Sequence, residues 1–332
     1  MKRVIAGASI ALSILATHDV RAADLRAEPQ QKKIGNSNRA ENSHGLMIRV
    51  AAGEWGDAQP EEIEALLYAV ADQLLVHFPQ RQLNPIVVSP TYQNPIVLYQ
   101  KGPANEYQVH LAAKGRRWAE YVYEFSHELF HILANYENHA PPRIASHLWF
   151  EETLCETVSL YALRRMSASW AQSPPRPEWA AYAPVLNAYA GRVLGEPHRR
   201  LPANASLAQW FKENGPLLLE NPYLRGKNEL IANLFLPILE HNQDWQAVGF
   251  LNLDAPQQKM NFYDYLASWH SRTPPEHQEF TRLALRMFQF DAPETVAPKL
   301  TKAAEPAPVR DQPADQPGAI QQLLGAAGSS RK

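Results

Sequence analysis

His127-Glu128-Leu129-Phe130-His131, followed after a loop-sized gap by Leu148-Trp149-Phe150-Glu151-Glu152-Thr153-Leu154-Cys155-Glu156, decides how this chain is read. The first run is an H-E-x-x-H motif. Residues four apart on a helix leave the same face, so His127 and His131 project side by side. Glu128 is rotated by about 100° from His127 and points beside that pair rather than along it. Two neutral imidazoles need one more donor to hold a catalytic zinc ion with a coordination position open for water. The second run supplies it. Glu152 and Glu156 share a face of a helix expected from about Leu148 to Arg165, with Glu152 placed as the metal ligand and Glu156 one turn on. There Glu156 can accept the free ring N–H of a ligating histidine. Glu151 competes with Glu152 as third ligand, but its one-turn neighbour is Cys155, a poor acceptor for such a contact. Cys155 reads as a small buried core residue.

The surroundings of the histidines strengthen this reading. Tyr121, Val122, Phe125, Leu129, Ile132 and Leu133 make the rest of the helix apolar, which marks it as buried. Burying two histidines and a glutamate without partners costs several kcal/mol, and a bound metal removes that cost. The chemistry that follows is hydrolysis: zinc acidifies a water, and Glu128 accepts its proton as general base. The alternative is a protein that keeps zinc only to bind peptides or proteins. An intact Glu128 argues against it, because a structural site fills all four positions and needs no base. Glu124, one turn before the motif, reads as a solvated or cleft-wall residue. His110, His139 and His147 lie nearby and read as ordinary core or surface residues rather than ligands, with His139 and His147 flanking the loop as the two candidates to line the cleft.

Working outward, Leu46 to Ala51 reads as a strand. Pro60-Glu61-Glu62 opens a helix with Ile63, Leu66, Leu67, Val70, Leu74 and Leu75 at helical spacing. Pro85–Val88, Pro95–Tyr99 and Glu106–Leu111 read as strands, and a helix from about Trp118 to Asn135 carries the motif. After Ser167 strand signals fade. Helical patterns cover Glu178–Leu194, Leu207–Glu213, Leu224–His241, Phe262–Trp269 and about Pro275–Phe290. The fold class is therefore α+β: a catalytic domain over 46–170 with a mixed sheet, then an all-helical subdomain over 171–290.

The two ends differ from this middle. Met1-Lys2-Arg3, an apolar run to about Ala16 and small residues ending at Ala22-Ala23 make a cleavable signal peptide over 1–22, too short in its apolar part to span a bilayer. Residues 23–45 form a polar linker. Residues 291–332 form a tail with six prolines (Pro293, Pro298, Pro306, Pro308, Pro313, Pro317), and neither segment can bury enough surface to fold. A periplasmic or secreted protein without stable membrane insertion is implied. Without Lys2, Arg3, Arg21 and Asp19, the 32 basic and 34 acidic residues become 29 and 33, and no basic patch invites nucleic acid. A lone cysteine allows no internal disulfide.

The order strand, helix, strands, then H-E-x-x-H helix resembles the zincin metalloproteases. In that fold the last strand at the cleft rim pairs with extended substrate, which would make Tyr107–Leu111 the docking edge. Leu148 to Glu156 is similar to the L-W-L-N-E-G-F-A-E segment of the aminopeptidase N-type gluzincins, aligning Glu152 with their zinc-binding glutamate. Pro222-Tyr223-Leu224-Arg225-Gly226 resembles their P-Y-x-K-G. The resemblance covers roughly residues 106–240 and implies a peptide or protein substrate, with Tyr223 donating its hydroxyl to the developing oxyanion. The family's G-x-M-E-N motif, whose glutamate binds a free amino terminus, has no match. Gly102-Pro103-Ala104-Asn105-Glu106 ends in the opposite order, so endopeptidase and aminopeptidase action both stay open.

Overall fold

Alternation and helical spacing place the elements close to where the sequence puts them. The computed structural model describes residues 45–140, 147–253 and 260–291. The expected signal peptide, the linker up to residue 44, the loop with Pro141 and Pro142 and the proline-rich tail lie outside the described residues. Strands β1 (Ile48–Val50), β2 (Ile86–Pro90), β3 (Ile96–Val97) and β4 (Tyr107–Leu111) form one sheet in the order β1-β2-β4-β3. Helix α1 (Pro60–Leu75) connects β1 to its parallel neighbour β2, and the long crossover is what a parallel pair requires. β2 and β4 are parallel, β3 and β4 antiparallel.

This order corrects the expected docking edge. Tyr107–Leu111 is hydrogen-bonded on both sides, so it cannot pair with an added chain. The free edge at that end of the sheet is β3, at whose head Pro95 contributes no N–H. Sequence alternation identifies a strand but not its neighbours.

Helices α2 (Trp118–Leu133) and α3 (Leu148–Trp170) follow, and α3 runs a turn past its expected end. Nearly every residue of α2 is buried, and the same holds for α3 up to Leu163. Its mean burial explains why α3 shows little sidedness: it is covered all round, by α2 on one side and by α4 (Ala183–Leu194) and α6 (Arg225–His241) on others. Helices α5 (Leu207–Glu220), α7 (Phe262–Arg272) and α8 (Gln278–Met287) complete the chain. α5 continues through Gly215 and Pro216, where sequence reading stopped. Aromatic packing fixes the start of α3. Trp149 lies 4.7 Å from Phe262 and 5.4 Å from Phe211, while Phe150 lies 5.7 Å from Phe235, ring centre to ring centre. Residues from both expected halves thus share one core.

Asn135, just past α2, adopts φ of 60°, a left-handed conformation that asparagine tolerates. Its side chain donates to the carbonyls of Gly249 and Leu251 at 2.9 and 2.8 Å and accepts from Arg81. The end of the motif helix is thereby pinned to the 246–252 turn.

Candidate metal centre

α2 presents His127, Glu128 and His131, and α3 faces them with Glu151, Glu152, Cys155 and Glu156. The imidazole centres are 5.0 Å apart, with planes at 67°. Glu152 lies in front of both rings: Oε2 is 3.4 Å from His127 Nε2, and Oε1 is 3.8 Å from His131 Nε2. Donors bound to one tetrahedral zinc at about 2.0–2.2 Å stand roughly 3.3 Å apart. The two contacts run to different carboxylate oxygens, and the donors that all lie within 4.8 Å of one another are those of His127, His131 and Cys155. For Glu152 to share one ion with both rings, its carboxylate must turn. One observation favours an ion here: His127 Nε2 and Glu128 Oε1 are buried without any hydrogen-bond partner. Orphaned buried polar atoms are costly and call for an occupant.

Glu151 turns the other way. Its Oε1 accepts from His131 Nδ1 at 2.6 Å, and its Oε2 receives Asn252 Nδ2 at 2.6 Å, with His139 Nδ1 3.1 Å away. Asn252 in turn accepts from the Tyr265 hydroxyl at 2.8 Å. The Nδ1 bond orients the His131 ring. Against burial, the neighbouring Cys155, Glu152 and Glu151 raise its pKa well above the ordinary value, so Nε2 would offer its lone pair only once a metal ion displaces that proton. Burial alone would raise the Glu151 carboxyl, but the bonds from His131 and His139 outweigh it and bring its pKa down to about 2. The residue weighed as a rival ligand thus meets His131 at Nδ1, whereas Glu152 lies on the Nε2 side.

Glu156 does not fill the expected bond to His127. Its Oε2 stands 4.0 Å from His127 Nδ1, beyond hydrogen-bond reach, while Oε1 accepts from the Tyr123 hydroxyl and from Arg199 Nη2 at 2.8 Å. Burial opposes ionisation here too, yet Arg199 and Arg225 hold the Glu156 carboxyl below its ordinary value. Arg199, fully buried, also pairs with Glu196 at 3.0 Å and Glu229 at 2.8 Å. Glu229 binds Arg225 Nε at 2.5 Å. This network ties α3 to α6 and to the turn at Pro197–Arg199.

The cleft in front of the centre offers about 430 Å³ and is lined by Ile96 and Val97 of β3, Glu128, His131, Glu152 and Tyr223. Burial raises the Glu128 pKa, with the neighbouring histidines and the Val97 backbone N–H pulling the other way. Burial first, then the Glu152 charge, raises Tyr223 and keeps its phenol a proton donor. Cys155 Sγ lies within 4.8 Å of a ring nitrogen of both histidines, closer to the centre than its reading as a core residue suggests. Burial keeps its thiol protonated.

Of the residues singled out in sequence, the structure brings Glu128, His131, Glu151, Glu152 and Tyr223 to one cleft, while His127 lines a neighbouring recess with Glu128 and Glu156. His147 caps α3 and bonds the Met260 carbonyl at 2.7 Å, away from the cleft lining. Asn252, Tyr265 and Arg199 were missed, because nothing in their local sequence signals a long-range contact. Glu124 is a cleft-wall residue and is buried, not solvated. Comparison with protein-family models, with curated proteins and with solved structures found no match to this chain.

Proposed function

We propose that this chain is an exported zinc metallopeptidase of gluzincin type, with a zincin-like catalytic domain and a helical subdomain, acting on peptides or proteins. The observation that carries the reading is Glu152 set before the Nε2 atoms of both histidines, with the unbonded Glu128 Oε1 beside them. His127, His131 and Glu152 would hold one zinc ion. When bound, zinc polarises the scissile carbonyl and acidifies water.

The chain's own groups do the rest. Glu128 takes up the proton of the attacking water at Oε1 and passes it to the leaving amine; its raised pKa suits both tasks. Tyr223 donates its hydroxyl to the oxygen on which negative charge develops. Glu151 keeps the His131 proton on Nδ1. β3 is the strand at the cleft beside which an extended substrate would lie, although its Val97 N–H is already engaged by Glu128.

Glu106 favours internal cleavage over amino-terminal trimming. Its carboxylate folds back on its own turn, accepting from the Ala104 N–H at 2.7 Å, so that segment presents no acid to a free amino terminus. The leader-like start of the sequence supports export to a periplasm or the exterior.

The test is mass-spectrometric mapping of a mixed peptide pool by the zinc-loaded chain, with Glu128→Gln as control. The expected result is internal cuts that disappear in the variant and on chelation, while the variant still binds one zinc. Cuts that persist in Glu128→Gln would refute the assignment of the base. Zinc-loaded protein that cleaves nothing would favour a peptide-binding role instead.

A further inference from the structure

On the His127 side of Glu128 lies a second recess, which shares Pro95 and Glu128 with the cleft and is walled also by Tyr123, Glu124, Glu156 and Arg225. Besides Glu128, three of those walls are charged, and two of the three charges are already matched. Glu156 is paired with buried Arg199 and bonded to Tyr123. Arg225 is held through Nε by Glu229 at 2.5 Å. Glu124 is different. Its Oε2 accepts from the backbone N–H groups of Ala112 and Ala113 at 2.8 and 2.9 Å, and the side chain is 2% exposed. Among the described residues no side-chain cation forms an ion pair with it. Lys114, a cation near enough to interact with it electrostatically, is drawn off over the rings of Tyr92 and Trp55, 4.9 and 5.4 Å from their centres.

A buried carboxylate without a counter-charge is unfavourable unless a cation arrives or a proton neutralises it. The first catalytic carboxylate, Glu128, lies in the wall of the same recess, so whatever enters sits next to the scissile bond. We propose that this recess takes a positively charged group of the substrate, with Glu124 as its counter-charge, which makes Glu124 a specificity-determining residue. The proposal rests on the metallopeptidase reading above and narrows it to substrates carrying a cation beside the cleaved bond. The same burial lifts the Glu124 carboxyl to about 7 against the pull of the two backbone bonds. A cation in the recess would reverse that shift and bind the ionised form. Two sources share this chemistry: a lysine or arginine side chain, and the α-ammonium of a chain end.

The test uses the zinc-loaded full chain and paired peptides with lysine or norleucine at each position near the cleaved bond, each made with a free and an acetylated amino terminus. Wild type is expected to prefer lysine at one position by about tenfold or more in kcat/KM, as a partly desolvated charge pair would give. Glu124→Gln, which retains an acceptor for the Ala112 and Ala113 N–H groups, should bring that ratio close to one. A preference seen only with free amino termini identifies the α-ammonium as the occupant. No lysine preference, or one that survives in Glu124→Gln, overturns the proposal. If wild type cleaves nothing, the hydrolase reading falls by itself, and equilibrium binding of the same peptides decides about the recess. Tighter binding of lysine peptides that is lost in Glu124→Gln upholds it, and equal or absent binding overturns it.

Discussion

Replacing Glu151 by glutamine removes a charge that three neighbours are arranged around while preserving side-chain size. The carboxylate is fully buried, accepts from His131 Nδ1 and Asn252 Nδ2 at 2.6 Å each, and has His139 Nδ1 at 3.1 Å. Its pKa of about 2 lies below the ordinary 4.5 because those partners favour the charged form. A shift of that size corresponds to about 3 kcal/mol. The carboxyl is depressed in the folded state, so this stability is complete above pH 4.5 and is lost as pH falls toward 2. Metal-free Glu151→Gln should therefore be less stable than wild type by about 3 kcal/mol at pH 7, and the gap should narrow at pH 3. Denaturant melts at the two pH values measure it. In the same variant a loosened His131 ring should weaken zinc binding by about 10–100-fold in chelator competition. Glu152→Gln should lose far more, since it removes a donor. A Glu151→Gln protein with wild-type zinc affinity and a stability gap independent of pH would refute the bracing role.

Two further outcomes follow from the geometry. Tyr223→Phe should lower kcat by about 100-fold with little change in KM, as expected when a donor acts only on the developing oxyanion; a loss confined to KM would assign Tyr223 to binding instead. Arg199→Met leaves Glu156 and Glu229 buried against each other's charge and should cost about 3–5 kcal/mol in denaturant melts, most of it recovered when both glutamates are also changed to glutamine. Failure of the triple variant to recover would mean that Arg199 acts through packing.

Much of the centre was legible because its spacing is local. A four-residue interval on one helix needs no knowledge of the rest of the fold to place His127 beside His131, and the same holds for Glu152 and Glu156. Strand and helix positions were readable for the same reason, from alternation in Tyr107–Leu111 and from helical recurrence in Pro60–Leu75. Contacts across the chain were not. Whether β4 or β3 forms the edge depends on strand order, which alternation does not encode. The role of Glu151 turns on Asn252, a hundred residues away and itself in a left-handed conformation with φ of 59°. Arg199 sits in a short turn with no periodicity, yet is buried against two carboxylates of different helices. Adjacent glutamates at 151 and 152 carry no label for which faces inward; helix phase relative to α2 decides that, and only packing sets it.

The brevity of β3 has its own consequence. An open strand edge able to hold a substrate's backbone could equally well recruit the same edge of a second molecule, and long exposed edges seed aggregation in this way. Two residues, Ile96 and Val97, led in by a proline, give any visiting chain only a few backbone bonds. That is too little to nucleate a stack of copies, and under the proposed hydrolase reading it would also let cleaved fragments go. The shortness of this edge thus sets brief residence of a bound chain against permanence, which suits a surface meant to be used many times.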